Sequence, residues 1–115
     1  MSTLLLRAAP LFAALADPTR LAILDRLRAG ERSVNELCDD TAARQSLISF
    51  HLKALKDAGL VFARREGRTM WYALDPSGVA RLERLVTLLK GGVDDPSEAS
   101  RLVDLEVCME YISGH

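Results

Sequence analysis

Apolar residues recur at helical spacing through most of this chain and change to strand-like spacing once, just past residue 60. The stretch Arg44–Val61 organises the rest. Leu47, Ile48, Leu52 and Leu55 form an apolar stripe, while Gln45, Ser46, Ser49, Phe50, Lys53 and Lys56 lie off it. That pattern predicts a helix with one small, polar face that begins at its N-terminal end. Gly59 ends it, since glycine accepts left-handed dihedrals without a steric cost. The run L-V-F-A-R-R-E-G-R-T-M-W-Y-A-L then predicts a strand near 61–65, a turn at Glu66-Gly67 and a strand near 69–74.

The flanking segments are helical by the same criterion. Residues 3–15 are apolar on most sides, with Pro10 as a kink or restart. Asp17-Pro18 is a cap followed by a proline at the first helical position, and it opens a helix to about Arg28 with Leu21, Ile23, Leu24 and Leu27 inward. Ser33 and Glu36 form a capping box for a short helix to about Asp40, and Thr41-Ala42-Ala43 turns into the long helix. Asp75-Pro76 starts a helix to Lys90 with Val79, Leu82, Leu85, Val86 and Leu89 apolar. Ser97 opens a last one, with Leu102, Leu105, Met109 and Ile112 on one face. The expected fold is mainly α with a small β-hairpin, in the order ααααββαα: a winged helix-turn-helix. Residues 33–57 are the helix-turn-helix and 61–74 the wing of a single domain spanning 1–115. The first and last helices (1–15 and 76–113) carry more apolar surface than so small a core uses, so they are expected to dimerise the chain.

Charge sharpens this reading. The net charge of −1 says little, but residues 44–72 hold Arg44, Lys53, Lys56, Arg64, Arg65 and Arg68 against Asp57 and Glu66, a balance of +4. From Gly92 onward one arginine stands against six carboxylates, a balance of −5. A basic middle beside an acidic tail fits a surface that faces DNA and a side that does not. An aromatic content of 5% argues against a stacking platform for single strands. The two cysteines, Cys38 and Cys108, are too few for a disulfide scaffold. No signal peptide or membrane-length apolar run is visible, so a cytoplasmic location with reduced thiols and no membrane partner is expected.

The runs A-L-A-D-P-T-R-L-A-I-L-D-R-L, S-V-N-E-L, Q-S-L-I-S-F-H-L-K-A-L-K-D-A-G-L-V and R-R-E-G-R-T-M-W-Y-A-L resemble the ArsR/SmtB family of dimeric winged-helix repressors. The resemblance covers most of Leu11–Leu74. It implies a homodimer on double-stranded operator DNA that represses its own operon and leaves when an effector binds. By matching position, Gln45, Ser46 and Ser49 would read bases, with Arg44 at the start of their helix. Lys53, Arg65 and Arg68 would meet phosphates, with Thr69 and Tyr72 as helpers. His51 matches the family's histidine, either on the DNA backbone or packed at the helix–wing junction.

The effector signals are thinner. Zinc-sensing members use aspartate and histidine on the helix after the wing. That helix holds Glu83 here and no histidine, the only histidines being His51 and His115. Arsenic-sensing members often carry a run like C-V-C-D-L-C, against which S-V-N-E-L-C keeps only Cys38. A site joining Cys38 to Cys108 would hold a trivalent metalloid or form a redox-switchable pair. The competing reading makes both small buried apolar residues. No cofactor is otherwise indicated. Two further functions stay in view: a dimeric interaction module that no longer reads DNA, and a winged-helix regulator without a metal or thiol effector. An enzyme is not expected, for want of a phosphate loop or a catalytic constellation.

Overall fold

The computed structural model describes residues 3–91, so the predicted final helix and Cys108 lie outside the described residues. The chain begins with two short helices, α1 (Thr3–Arg7) and α2 (Ala9–Leu15). Pro10 lies in the first turn of α2, where a missing N–H is harmless, and so restarts the helix instead of breaking it. Next comes α3 (Pro18–Leu27), whose first turn is closed by Asp17: its carboxylate accepts from the backbone N–H of Thr19 at 2.8 Å and of Arg20 at 3.1 Å. A two-residue strand, β1 (Arg32–Ser33), leads into α4 (Val34–Thr41). The capping box at its start is formed in both directions. Ser33 Oγ accepts from the Glu36 N–H at 3.2 Å, and Glu36 Oε1 accepts from the Ser33 N–H at 3.1 Å. Such a cap contributes roughly 1 kcal/mol to helix stability.

The turn into α5 (Gln45–Asp57) passes through Ala42, which adopts the left-handed region at φ 56°. After α5, Gly59 at φ 77° reverses the chain into β2 (Val61–Glu66), which pairs antiparallel with β3 (Thr69–Leu74) from Val61↔Leu74 to Glu66↔Thr69. The sheet has three strands in the order β1-β3-β2. The third strand was not foreseen, since two residues carry no alternation to detect and their pairing (Arg32↔Tyr72, Ser33↔Trp71) is non-local. The final described helix, α6 (Pro76–Leu89), is capped by Asp75, which accepts from the Ser77 N–H at 3.0 Å.

Ile23 and Leu27 of α3, Leu37 of α4, and Ile48, Leu52 and Leu55 of α5 meet Leu60, Val61 and Leu85 in one core, closed on another side by Leu11 and Ala14 of α2. Two residues expected inward are not part of it. Leu21 is 52% exposed and Leu47 41%. Each stands on the flank of its helix's apolar stripe, and the buried lines run instead through Ile23–Leu27 and through Ile48–Leu52–Leu55. Leu21 lines an open apolar groove of about 360 Å³ with Leu24, Leu60, Leu74, Val79 and Leu82. On α6 only Leu85 of the apolar set is fully buried, and Val79, Val86 and Leu89 face solvent in the single chain.

α6 meets the end of α5 at very short range. A Cβ on Gly78 would fall 2.0 Å from the Gly59 carbonyl oxygen. One turn later, Arg81 is buried and donates through Nη2 to the Ala58 carbonyl at 3.0 Å, supplying a partner for one of the last carbonyls of α5.

Candidate nucleic-acid interface

With Ile48, His51, Leu52 and Leu55 turned into the core, the opposite side of α5 is fixed by the 3.6-residue repeat. Ser46, Phe50 and Lys53 form its outermost line, flanked by Ser49, Gln45 and Lys56, and all six are exposed. Arg44, at the N-cap, is exposed and places no side-chain cap over the first turn. The expected reading set Gln45, Ser46 and Ser49 therefore lies together on one solvent face, with Lys53 beyond it. Lys53 pairs with Asp57 at 2.9 Å, a fully solvated i,i+4 contact worth about 0.3–0.5 kcal/mol, small enough to be exchanged for a phosphate.

The wing divides its residues by face. Cross-strand partners share a face, so Arg65 with Met70 lies on the side that also carries Ala63, Tyr72, Val61 and Leu74, which is turned toward the helices. Arg64 with Trp71, and Glu66 with Thr69, lie on the other side. Arg65, Arg68 and Thr69 are exposed, whereas Tyr72 is half-buried against the core and is the least accessible of the expected wing contacts. Arg64 is committed elsewhere. Its Nη2 and Nε donate to Glu31 at 2.6 and 3.1 Å, and its Nη1 donates to Glu66 at 2.8 Å. The Arg64 hydrogen bonds hold the Glu31 carboxyl below its usual range, and the two carboxylates push the Arg64 guanidinium up. Among the described residues, Arg65 and Arg68 make no ion pair, so they are the wing cations available to an anion.

His51 corrects an expectation. It is 6% exposed, which removes it from direct contact with a duplex. Its polar partners lie at the start of α3. Nδ1 accepts from Arg20 Nε at 3.1 Å, and Nε2 lies 3.9 Å from Asp17 Oδ1. The backbone N–H of Arg20 is the main cause that lowers the Asp17 carboxyl, with the Thr19 N–H and the Arg20 charge adding to it. This Asp17–Arg20–His51 group ties the start of α3 to the middle of α5. Its sequence signal was D-P-T-R read beside H-L-K, but periodicity alone does not say which side of α5 His51 takes.

Cys38 is a free, half-buried thiol on α4 packed against the core. Among the described residues no three His, Cys, Asp or Glu side chains converge as a metal site. Glu83 stands exposed on α6, whose residues include no histidine. Among the described residues no helix is long and apolar enough to cross a membrane.

Residues 17–62, from the Asp17 cap to the start of the wing, match the profile of the bacterial regulatory protein, arsR family. The uncharacterized HTH-type transcriptional regulator MJ1325 of Methanocaldococcus jannaschii is 41% identical over 81 residues, covering 70% of this chain and 91% of that one. The chain belongs to the ArsR family. The HTH-type transcriptional repressor SmtB of Mycobacterium tuberculosis is 44% identical over 75 residues, covering 65% of this chain and 56% of SmtB. A solution structure described as the homodimeric winged helix-turn-helix DNA-binding domain of Mb0332 from Mycobacterium bovis superposes with a TM-score of 0.63 at 38% identity, over 83% of this chain and 92% of that domain. The chain spans part of the length of these curated relatives: 34% of the M. tuberculosis regulator Rv0324 and 64% of Rv2034. The family is described as one of bacterial regulatory proteins, and SmtB as a transcriptional repressor.

Proposed function

We propose that this ArsR-family chain is a homodimeric repressor that binds operator DNA by sequence and leaves it when an effector acts. The observation that carries the reading is the exposed line on α5, where Gln45, Ser46 and Ser49 stand beside Lys53 while Arg65 and Arg68 of the wing remain unpaired among the described residues. Amides and hydroxyls of this size suit base edges in a major groove, and the cations suit phosphates. Dimerisation through α1, α2, α6 and the segment beyond residue 91 is supported by the unburied stripe Val79, Val86 and Leu89 and by Leu6, which is 60% exposed. The homodimeric Mycobacterium bovis domain and the repressor SmtB point the same way.

The test is selection of a preferred duplex from a random library, followed by anisotropy titrations across salt concentrations. Arg68→Ala should weaken binding to every sequence alike and flatten the log–log salt slope by roughly one. Gln45→Ala should instead narrow the gap between preferred and random duplexes. Binding with no sequence preference and no salt dependence refutes the repressor reading and leaves a dimeric interaction module.

Release is the finer part of the proposal. It rests on the free, half-buried thiol of Cys38 and on Cys108, which could take a soft trivalent metalloid or be oxidised. Cys38→Ser and Cys108→Ser, each challenged on DNA with arsenite and with an oxidant, test it. Release unchanged in both variants removes the thiols and leaves a regulator with another effector.

A further inference from the structure

Phe50 is out of place on the polar side of α5. It is 62% exposed on the outermost line of the helix, with Ser46 four residues before it and Lys53 three after. An apolar ring there gains nothing from the core, which lies behind Ile48, Leu52 and Leu55. Nor does it stand alone. Its ring meets His51 edge-on, with centroids 5.2 Å apart and planes at 72°. His51 is in turn buried and held by Arg20 at 3.1 Å. The ring thus projects outward from a supported base, with its orientation partly set before anything binds. Leu47, 41% exposed, widens the apolar ridge on one flank.

We infer that Phe50 is a specificity-determining residue that reads the 5-methyl group of a thymine in the major groove. The inference rests on the DNA-reading role proposed above. The cations on the same helix, Lys53 and Lys56, both exposed, select a polyanion as the occupant. Of the base edges such a helix would meet, only thymine offers a methyl group; a phenyl ring over the purine edges or the cytosine amine would leave hydrogen-bonding atoms unpaired. The ring therefore favours thymine and penalises the other bases at the position it covers.

The experiment uses the duplex that the 115-residue chain selects from a random library. Each thymine is replaced in turn by deoxyuridine, which removes the methyl group and leaves the hydrogen-bonding edge intact. The expected result is one thymine per half-site whose replacement weakens binding about fourfold, and about fifteenfold when both half-sites are changed, on the burial of one methyl-sized group each. Phe50→Ala should bind the two duplexes equally, and its exposure means the fold, checked by circular dichroism, should be retained. Lys53→Ala should bind both more weakly while keeping the ratio between them. A selected site in which no thymine methyl matters, or a Phe50→Ala variant that keeps the full ratio, overturns the assignment while sequence-preferring binding still stands. Failure to select any preferred duplex overturns the DNA-reading proposal itself, and this inference with it.

Discussion

Gly78→Ala is a substitution that helix propensity alone would recommend. The residue lies in the first turns of α6 with ordinary helical dihedrals, and alanine exceeds glycine there by about 0.8–1 kcal/mol. The structure predicts the opposite sign. The added Cβ would sit 2.0 Å from the Gly59 carbonyl oxygen, 2.9 Å from its carbonyl carbon and 3.1 Å from Leu60 Cα, all backbone atoms with no rotamer to yield. To bring the closest of these to 3.0 Å, α6 must retreat by about 1 Å. Overpacking of this kind costs about 1–3 kcal/mol, and a backbone-on-backbone clash belongs at the upper end. The retreat also stretches the 3.0 Å bond from Arg81 to Ala58. Set against the propensity gain, the net loss is about 1–2 kcal/mol, or roughly 5–10 °C in thermal midpoint for a domain of this size. Thermal and urea denaturation followed by circular dichroism measures it, at one fixed protein concentration. A variant equal to or more stable than the parent would show that α6 can shift freely at this contact, and the packing argument would be wrong.

Two further predictions concern the turn and the acid side of the stability curve. Ala42→Gly should stabilise the chain by about 1 kcal/mol, because alanine occupies a left-handed conformation at φ 56° that glycine adopts without penalty; a lower midpoint in urea would contradict this. Asp17 and Glu31 both have native pKa values lowered from their ordinary 3.8 and 4.5 by hydrogen bonds to their charged forms. A lowered carboxylate favours the fold above its ordinary value and loses that contribution as pH falls through the native one. Stability should therefore be level above about pH 5 and decline below it. Asp17→Asn together with Glu31→Gln should flatten the decline, and an acid limb identical in the double variant would rule these two groups out as its source.

Local signals were legible from the sequence and pairwise ones were not. The caps Asp17, Ser33–Glu36 and Asp75, the restart at Pro10 and the reversal at Gly59 are each written within four residues, and the structure forms all of them. The polar line on α5 followed from its apolar stripe in the same way. Leu21, Leu47 and His51 misled because a helical stripe has two flanks, and which flank is covered depends on a neighbour the periodicity does not name. Packing of α3 against α5 covers His51 and leaves the two leucines outside. The need for Gly78 was likewise invisible, since it arises from a carbonyl 19 positions earlier in the chain and from no unusual dihedral of its own.

The bridge from Arg64 to Glu31 crosses the central strand, joining the outer strand of the wing to the loop before β1. It works like one guy-rope on a mast: beside the β1–β3 backbone pairing, it ties the hairpin to a residue 33 positions upstream, ahead of the helix-turn-helix. Anyone grafting residues 61–74 onto another scaffold to alter which duplexes it prefers would transplant the mast without its anchor. Such a chimera should carry Glu31 and the β1 residues Arg32 and Ser33 as well, or accept a hairpin short of both supports.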